Sequence, residues 1–434
     1  MIRMRRWHGW ALWGVLTVTV ALVAWPRREA LLLKNRFINR QSVERLGYGG
    51  YFWFDVVDVA GRLWRRAHLD EIDPAPYRAY LRELAHRRAE MPARHPPRRK
   101  HVVYIQLESM DGLVIGARKD GQPVMPFLED LAAKHVSFAN MMDNTGSGRT
   151  TDGEFLVLTS LVPLARQPVY VSKDLSRVPS LPRVLHVAGY HTASIHGFNG
   201  VFWHRAEAHT ALGYDEMRFQ QDLPLDDKIG WGWSDEAVLG EAARMIAAAE
   251  SPLFLHVITL THHHPYDHIA HAQGLKPGRI EVENVRSARY VDHALQGFFQ
   301  QLQDAGVLED CLIAIYGDHD SAIDVELEAY LDSIAPRLYP DTVPLVLVGF
   351  DRPAQRVTTL AGLQDLPVMI LQELGLDVPL TFTGAGWGQW GTTFGAQHRG
   401  LQEVNGAAEP WEPPVDQDIL TRLAIEHPEE LLAP

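Results

Sequence analysis

Apolar residues fall along this chain in two rhythms. Residues 102–107, 192–196, 253–260, 312–316 and 343–348 are short, largely apolar runs rich in branched side chains, the pattern of strands buried on both faces. Between them, residues 125–135, 234–250 and 282–305 repeat apolar positions every three or four residues and predict amphipathic helices. Strands alternating with helices predict an α/β fold with a mostly parallel sheet between helices, one unit running from about residue 102 to 376.

A third pattern opens the chain. Residues 7–25 carry no charged side chain apart from His8 and would span about 28 Å as a helix, close to a bilayer core. Tryptophans mark both ends, as at the two membrane interfaces. A cleavable signal peptide is the rival reading, but no small-x-small site precedes Pro26, which favours a retained single anchor. Arginines flank both ends, so charge does not choose its orientation.

The formal net charge of −13 argues against a nucleic-acid partner, since tracking phosphates needs a basic excess. Basic residues instead gather early, at Arg3, Arg5, Arg6, Arg27, Arg28 and in the run 95–101, where they suit anionic lipid or a solvated linker. The single cysteine, Cys311, excludes an internal disulfide.

Candidate chemistry lies at the ends of predicted strands. The run 102–107 delivers Glu108, and the run 312–316 ends in Gly317-Asp318-His319-Asp320. In open α/β sheets, sites collect at the carboxyl edge of the strands. The tract Thr145-Gly-Ser-Gly-Arg-Thr-Thr-Asp-Gly-Glu-Phe155 reads as a glycine-rich turn entering a helix, which would present a threonine hydroxyl to an anion or simply cap the helix. A hydroxyl needs a base or a metal to become a nucleophile. Glu108, Thr150, Asp318 and His319 are the residues that one divalent cation would join, acidifying the threonine as it acidifies a bound water.

Taken together these segments resemble the lipoteichoic acid synthase type of phosphoglycerol transferases, within the alkaline phosphatase and sulfatase superfamily. The resemblance runs in order from about Arg40 to Leu376 and implies a sulfatase-like α/β sandwich over residues 101–400. Residues 1–26 would then be a transmembrane anchor, 27–100 a juxtamembrane connector and 401–434 a C-terminal extension at the surface. Thr150 corresponds to the family's nucleophile, with Thr151 as fallback, and Arg149 to a basic residue that is commonly lysine. The stretch His196-Gly-Phe-Asn-Gly-Val-Phe-Trp-His-Arg205 is similar to the substrate-binding segment, giving such roles to His196, Trp203 and Arg205. A guanidinium suits phosphate, and an indole can wall off a glyceryl group. In Thr261-His-His-His-Pro-Tyr266 the pattern singles out His263 for substrate or proton handling, leaving His262 and His264 as polar loop residues.

The resemblance implies a metal-dependent enzyme that moves phosphoglycerol from phosphatidylglycerol to a glycan or polyglycerolphosphate acceptor through a phospho-threonine. It also implies attachment to the cytoplasmic membrane with the catalytic part facing outside or into a periplasm. Mn²⁺ is favoured, with Zn²⁺ or Mg²⁺ as alternatives, because carboxylate and imidazole ligands suit several ions. Phosphoethanolamine transfer, phosphodiester hydrolysis and a catalytically silent membrane-tethered binding protein are the competing readings. Sulfate ester hydrolysis is disfavoured, since Cys311 lacks the C-x-P-x-R context for formylglycine. Relatives of this type usually carry several membrane helices, and this chain has room for one.

Overall fold

The computed structural model describes residues 69–90, 100–165, 167–339, 341–388, 392–395, 399–404 and 407–433, with isolated positions at Gly47, Gly49, Phe52 and Val56. The apolar segment 7–25, and with it the expected membrane anchor, lies outside the described residues. Among the described residues, no helix is long and apolar enough to cross a membrane. The chain divides into two units, residues 1–73 and 74–434. In the first, Leu69–Glu71 form a single 3-10 turn.

The second unit is built on a nine-stranded sheet. Its strands are β1 (His101–Leu107), β2 (Val136–Met142), β3 (His191–His196), β4 (Glu216–Arg218), β5 (Leu253–Ile258), β6 (Cys311–Gly317), β7 (Thr342–Val348), β8 (Gln355–Val357) and β9 (Ala361–Gly362). They lie in the order β8-β2-β7-β6-β1-β5-β3-β4, with β9 also on β2. From β6 to β4 every pairing is parallel, whereas β7 runs antiparallel to both β6 and β2. The expectation of a mostly parallel sheet therefore holds over the half that carries the candidate residues.

Side-chain alternation divides the sheet into two unlike faces. Val103, Ile105 and Leu107 of β1 join Leu255, Val257, Ile313 and Ile315 in one apolar core beneath the helices Pro126–Lys134, Asp235–Ala247 and Ile280–Asp304. These helices start where local chemistry permits. Ser234 accepts a hydrogen bond from Ala237 N as an N-cap, and Asp292 accepts from Phe127 N and Leu128 N to satisfy the first amides of its neighbour. The opposite face carries Tyr104, Gln106, His256, Tyr316 and Ser194, all buried, beneath the helices Thr150–Thr159 and Arg205–Leu212.

The helix Ala75–Ala89, in the span read as connector, belongs to this unit: Arg88 donates to Phe382 O at 2.6 Å. Gln417–Glu426, in the span read as a surface extension, is instead half a core element, burying Leu420, Leu423 and Ile425 while Thr421 donates to Val162 O.

Candidate active site

The register of β1 against β6 pairs Leu107 with Gly317, so Glu108 and Asp318 leave two adjacent parallel strands side by side. Gly317 to His319 turns sharply, and both Ser109 N and His319 N donate to Asp318 Oδ1 at 2.8 Å. Glu108 Oε1 accepts from Ser109 Oγ at 2.8 Å, and its amide donates to Oγ1 of Thr259, the residue just past the end of β5 on the other side. His319 Nδ1 lies 2.8 Å from Asp320 O. A carbonyl only accepts, so Nδ1 holds the proton and the Nε2 lone pair faces the carboxylates, 3.6 Å from Glu108 and 3.7 Å from Asp318.

One ligand atom from each of Glu108, Asp318 and His319 falls within 4.8 Å of the others, and all three residues are buried. Burial and the charge of Glu108 push the Asp318 carboxyl well above the usual carboxylate range. Burial, then the positive charge of Arg149, pulls His319 down, keeping its imidazole neutral. Two crowded carboxylates beside a neutral imidazole whose ligand nitrogen is already oriented fit a divalent cation.

Thr150 joins this group. It begins the helix Thr150–Thr159, and its Oγ1 lies 3.3 Å from Glu108 Oε2 and 3.4 Å from His319 Nε2. Thr151 turns the other way and donates to Gly148 O. Asp152 shapes the turn from inside, accepting from Gly146 N and Gly148 N at 3.0 and 2.7 Å. Arg149 holds a strained backbone, φ 44° and ψ −110°, outside the regions open to most L residues. Its guanidinium is committed to Asp320, with Nη1 at 2.7 Å from Oδ1 and Nη2 at 2.5 Å from the carbonyl. Gly153 lets the helix press on the ligand strand, because a Cβ there would sit 2.8 Å from Asp318 O.

The remaining candidates are held in different ways. His196 ends β3, and its Nδ1 donates to Ile258 O at 2.9 Å, leaving Nε2 as an open acceptor. Burial, and then the charge of Arg205, pulls its pKa down to about 3, so the ring is neutral. His263 Nδ1 donates to His264 O, and Nε2 lies 4.0 Å from Glu108 Oε1. His262 is buried against Asn284, whereas His264 stands at the edge of the Tyr266 ring. Trp203 takes a left-handed backbone, φ 60°, and meets Phe202 edge-on.

Arg205 reveals residues that motif reading missed. It is buried, with Nε and Nη2 bonded to Glu154 Oε1 at 3.0 and 2.8 Å. His209 Nε2 approaches the other oxygen at 2.8 Å and, since a carboxylate accepts, carries the proton there; Nδ1 then accepts from Ser194 Oγ at 2.9 Å. Arg205 Nη1 is buried without a hydrogen-bond partner among the described residues, a donor for an incoming anion. Glu154 sits inside the quoted nucleophile tract, but its partners lie 51 and 55 positions away, so nothing local marked it. Trp231 was also missed, and its ring lies 4.2 Å from that of His263.

The sequence model of the family described as Sulfatase matches residues 100–376. Lipoteichoic acid synthase 2 of Bacillus subtilis is 27% identical over 392 residues, covering 84% of this chain and 58% of that protein. Lipoteichoic acid synthase 1 of the same organism is 31% identical over 300 residues, covering 67% and 47%. The chain thus spans about half the length of the curated relatives it matches. Among solved structures, the lipoteichoic acid synthase LtaP from Listeria monocytogenes superposes with a TM-score of 0.66 at 19% identity, covering 81% of this chain and 98% of that one. That likeness concerns the fold.

Proposed function

We propose that this chain, which belongs to the sulfatase family, is a phosphoglycerol transferase that takes phosphoglycerol from phosphatidylglycerol and passes it to a hydroxyl acceptor through Thr150. The observation that carries this reading is the Thr150 hydroxyl, at a helix start and within 3.4 Å of both Glu108 and His319. Similarity to lipoteichoic acid synthases supports the donor, and a glycan or polyglycerolphosphate is the acceptor it suggests.

Glu108, Asp318 and His319 would hold the divalent cation, Mn²⁺ by preference, which when bound supplies Lewis acidity to the hydroxyl and offsets phosphoryl charge. The helix start adds a positive dipole end toward the anion. Arg205 donates its open Nη1 to a phosphoryl oxygen, and Glu154 keeps that guanidinium in place. In the first half-reaction the Thr150 Oγ–P bond forms as the hydroxyl gives up its proton, and the P–O bond to diacylglycerol breaks, the leaving oxygen taking a proton. In the second, the acceptor hydroxyl attacks phosphorus, gives up its proton and releases Thr150. His263, with Nε2 4.0 Å from Glu108 Oε1, would move protons in this exchange, and the neutral His196, whose Nδ1 is held by Ile258 O, would offer Nε2 as a second acceptor. Trp203 would flank the glyceryl group. Anchoring through residues 7–25 in the cytoplasmic membrane, with the catalytic unit outside, would bring donor and site together.

The test is intact mass of the full chain with Mn²⁺ and phosphatidylglycerol. A glycerophosphate-sized adduct is expected on the wild type and not on Thr150→Ala. An adduct that persists in Thr150→Ala removes the nucleophile assignment, and an adduct from phosphatidylethanolamine alone moves the donor to that lipid.

A further inference from the structure

Beside the buried polar groups lies an apolar surface that none of them explains. Lys228–Ile229 and Gly232–Trp233 pair antiparallel around the two-residue loop Gly230-Trp231. Gly230 has φ 66°, as such a tight hairpin requires, and a Cβ there would meet the His268 ring at 2.6 Å. The hairpin is fixed from below. Trp233 donates from Nε1 to Gln220 O and from its amide to Gly197 O, both at 2.9 Å. Gly232 lies so close to Gly197 O that a Cβ would come within 2.3 Å.

The tip therefore carries Trp231 to a set place over His263, whose Nε2 lies 4.0 Å from Glu108 Oε1. From there, ring contacts continue through Phe198 and Phe202 to Trp203, at centroid distances of 6.1 Å, 6.4 Å and 5.7 Å for successive pairs Trp231–Phe198, Trp231–Phe202 and Phe202–Trp203. Phe202 and Trp231 remain 44% exposed and Val201 70%. A connected aromatic surface thus begins at a histidine of the candidate site and runs out to solvent. Large apolar side chains held in the open mark a surface with an external partner.

Resting on the lipid-transfer reading above, we infer that this aromatic rim is the surface on which the acylated glycerol of the donor lipid, and the bilayer face presenting it, rests during transfer. The phosphoryl group must reach Thr150 among buried charges, and two acyl chains cannot follow it there without desolvating those charges. They must leave the site along its mouth, and the apolar path that starts at His263 is the one described. An indole at the tip of a short rigid hairpin also suits a membrane interface, where one edge meets hydrocarbon and the other meets water.

The experiment compares two donors with the Mn²⁺-loaded full chain: monomeric dihexanoyl phosphatidylglycerol, and glycerophosphoglycerol, which keeps the phosphodiester and head group but has no chains. Val201→Ser combined with Phe202→Ser should raise KM for the acylated donor by about tenfold or more. Its kcat, and both constants for the chain-free donor, should stay at wild-type values. Trp231→Ala should show the same preference for harming the acylated donor, and Trp231→Phe should restore it. Parallel changes for both donors, or no change for either, overturn the inference while leaving the transfer reading intact. So does a shift in oligomeric state by sedimentation with unaltered donor preference, which would make the rim a contact between copies of this chain. Wild-type protein that transfers from neither donor overturns the transfer reading and this inference with it.

Discussion

Replacing Glu154 with glutamine removes one charge and almost no volume from the most enclosed ion pair described in the molecule. The Arg205 and Glu154 side chains are 2% and 0% exposed, and His209 presses on the second carboxylate oxygen at 2.8 Å. Glutamine offers one oxygen and one amide donor where the carboxylate offered two acceptors, so its NH₂ must face either the guanidinium or the His209 N–H. The Arg205 charge is then buried with no counter-ion. Breaking one side of such a pair costs about 3–5 kcal/mol, against a total of roughly 5–15 kcal/mol for a folded domain. Urea unfolding followed by circular dichroism should therefore place Glu154→Gln at least about 3 kcal/mol below wild type. Replacing both partners, with Glu154→Leu and Arg205→Met, should recover most of that loss, because no unpaired charge remains.

The pH dependence has a fixed sign. Burial pushes the Glu154 carboxyl up, but Arg205 and His209 outweigh it and hold the group well below its ordinary value of 4.5. An acid depressed by folding contributes stability that is present above its unfolded pKa and lost as pH falls toward the folded one. The gap between wild type and Glu154→Gln should stay constant above about pH 4.5 and narrow below it. A Glu154→Gln protein within about 1 kcal/mol of wild type, or a double variant no better than the single, would refute this account of the pair.

Gly153→Ala ought to stabilise an ordinary helix by about 1 kcal/mol; here its Cβ meets Asp318 O at 2.8 Å, so Mn²⁺ affinity by titration calorimetry should fall by about 10–100-fold, and unchanged affinity would contradict the close approach. Mn²⁺ at a hundredfold excess over its dissociation constant should add about 2.7 kcal/mol to the stability of wild type, and much less to Glu108→Gln or Asp318→Asn; equal gains in all three would place the ion elsewhere. Burial pulls His256 down to about 3 from its ordinary 6.5, so the unfolded chain binds a proton there that the folded one refuses. Stability from this residue is present above pH 6.5 and falls by about 1.4 kcal/mol per pH unit below it, and in His256→Gln the acid-side slope should shrink by one proton; an unchanged slope would mean that His256 is protonated in the fold.

The apolar face of the sheet was legible and the polar face was not. Val103, Ile105 and Leu107 sit in a run with no charged residue, and that run reads as a buried strand whichever way its other face points. β2 escaped because Ser137 and Asn140 interrupt it: Ser137 donates to Ala132 O five positions upstream, whereas Asn140 is satisfied only through the fold, donating to Thr358 O and accepting from Leu338 N. The antiparallel course of β7 was equally hidden, since hydrophobicity fixes burial but not direction. Glu108, Asp318 and His319 could be found because a strand end is a place that sequence alone can locate. Gly230-Trp231 carries a weak local signal, a single glycine opening a two-residue hairpin whose strands are only two residues long.

The polar face explains why a motif names some members of a site and omits others. Tyr214 OH bonds His256 Nδ1 at 3.0 Å, His256 Nε2 lies 3.2 Å from Gln106 Oε1, and Gln106 Nε2 reaches Asp318 Oδ2 at 3.5 Å. Beside this chain, the His209 ring lies tilted against that of Tyr214 with centroids 4.8 Å apart and bonds Glu154, which holds Arg205. Every link but the His209–Tyr214 contact joins residues far apart in sequence, so no spacing rule can reveal the chain, yet together the links tie a candidate metal ligand to the guanidinium that would meet the phosphoryl group. A site that must bring a cation and a guanidinium to one small anion has to fix their separation, and a satisfied buried network does so more rigidly than packing of apolar side chains. The residues visible in the motif are those that would touch the substrate, whereas the spacing between them is set by side chains that only the fold brings together.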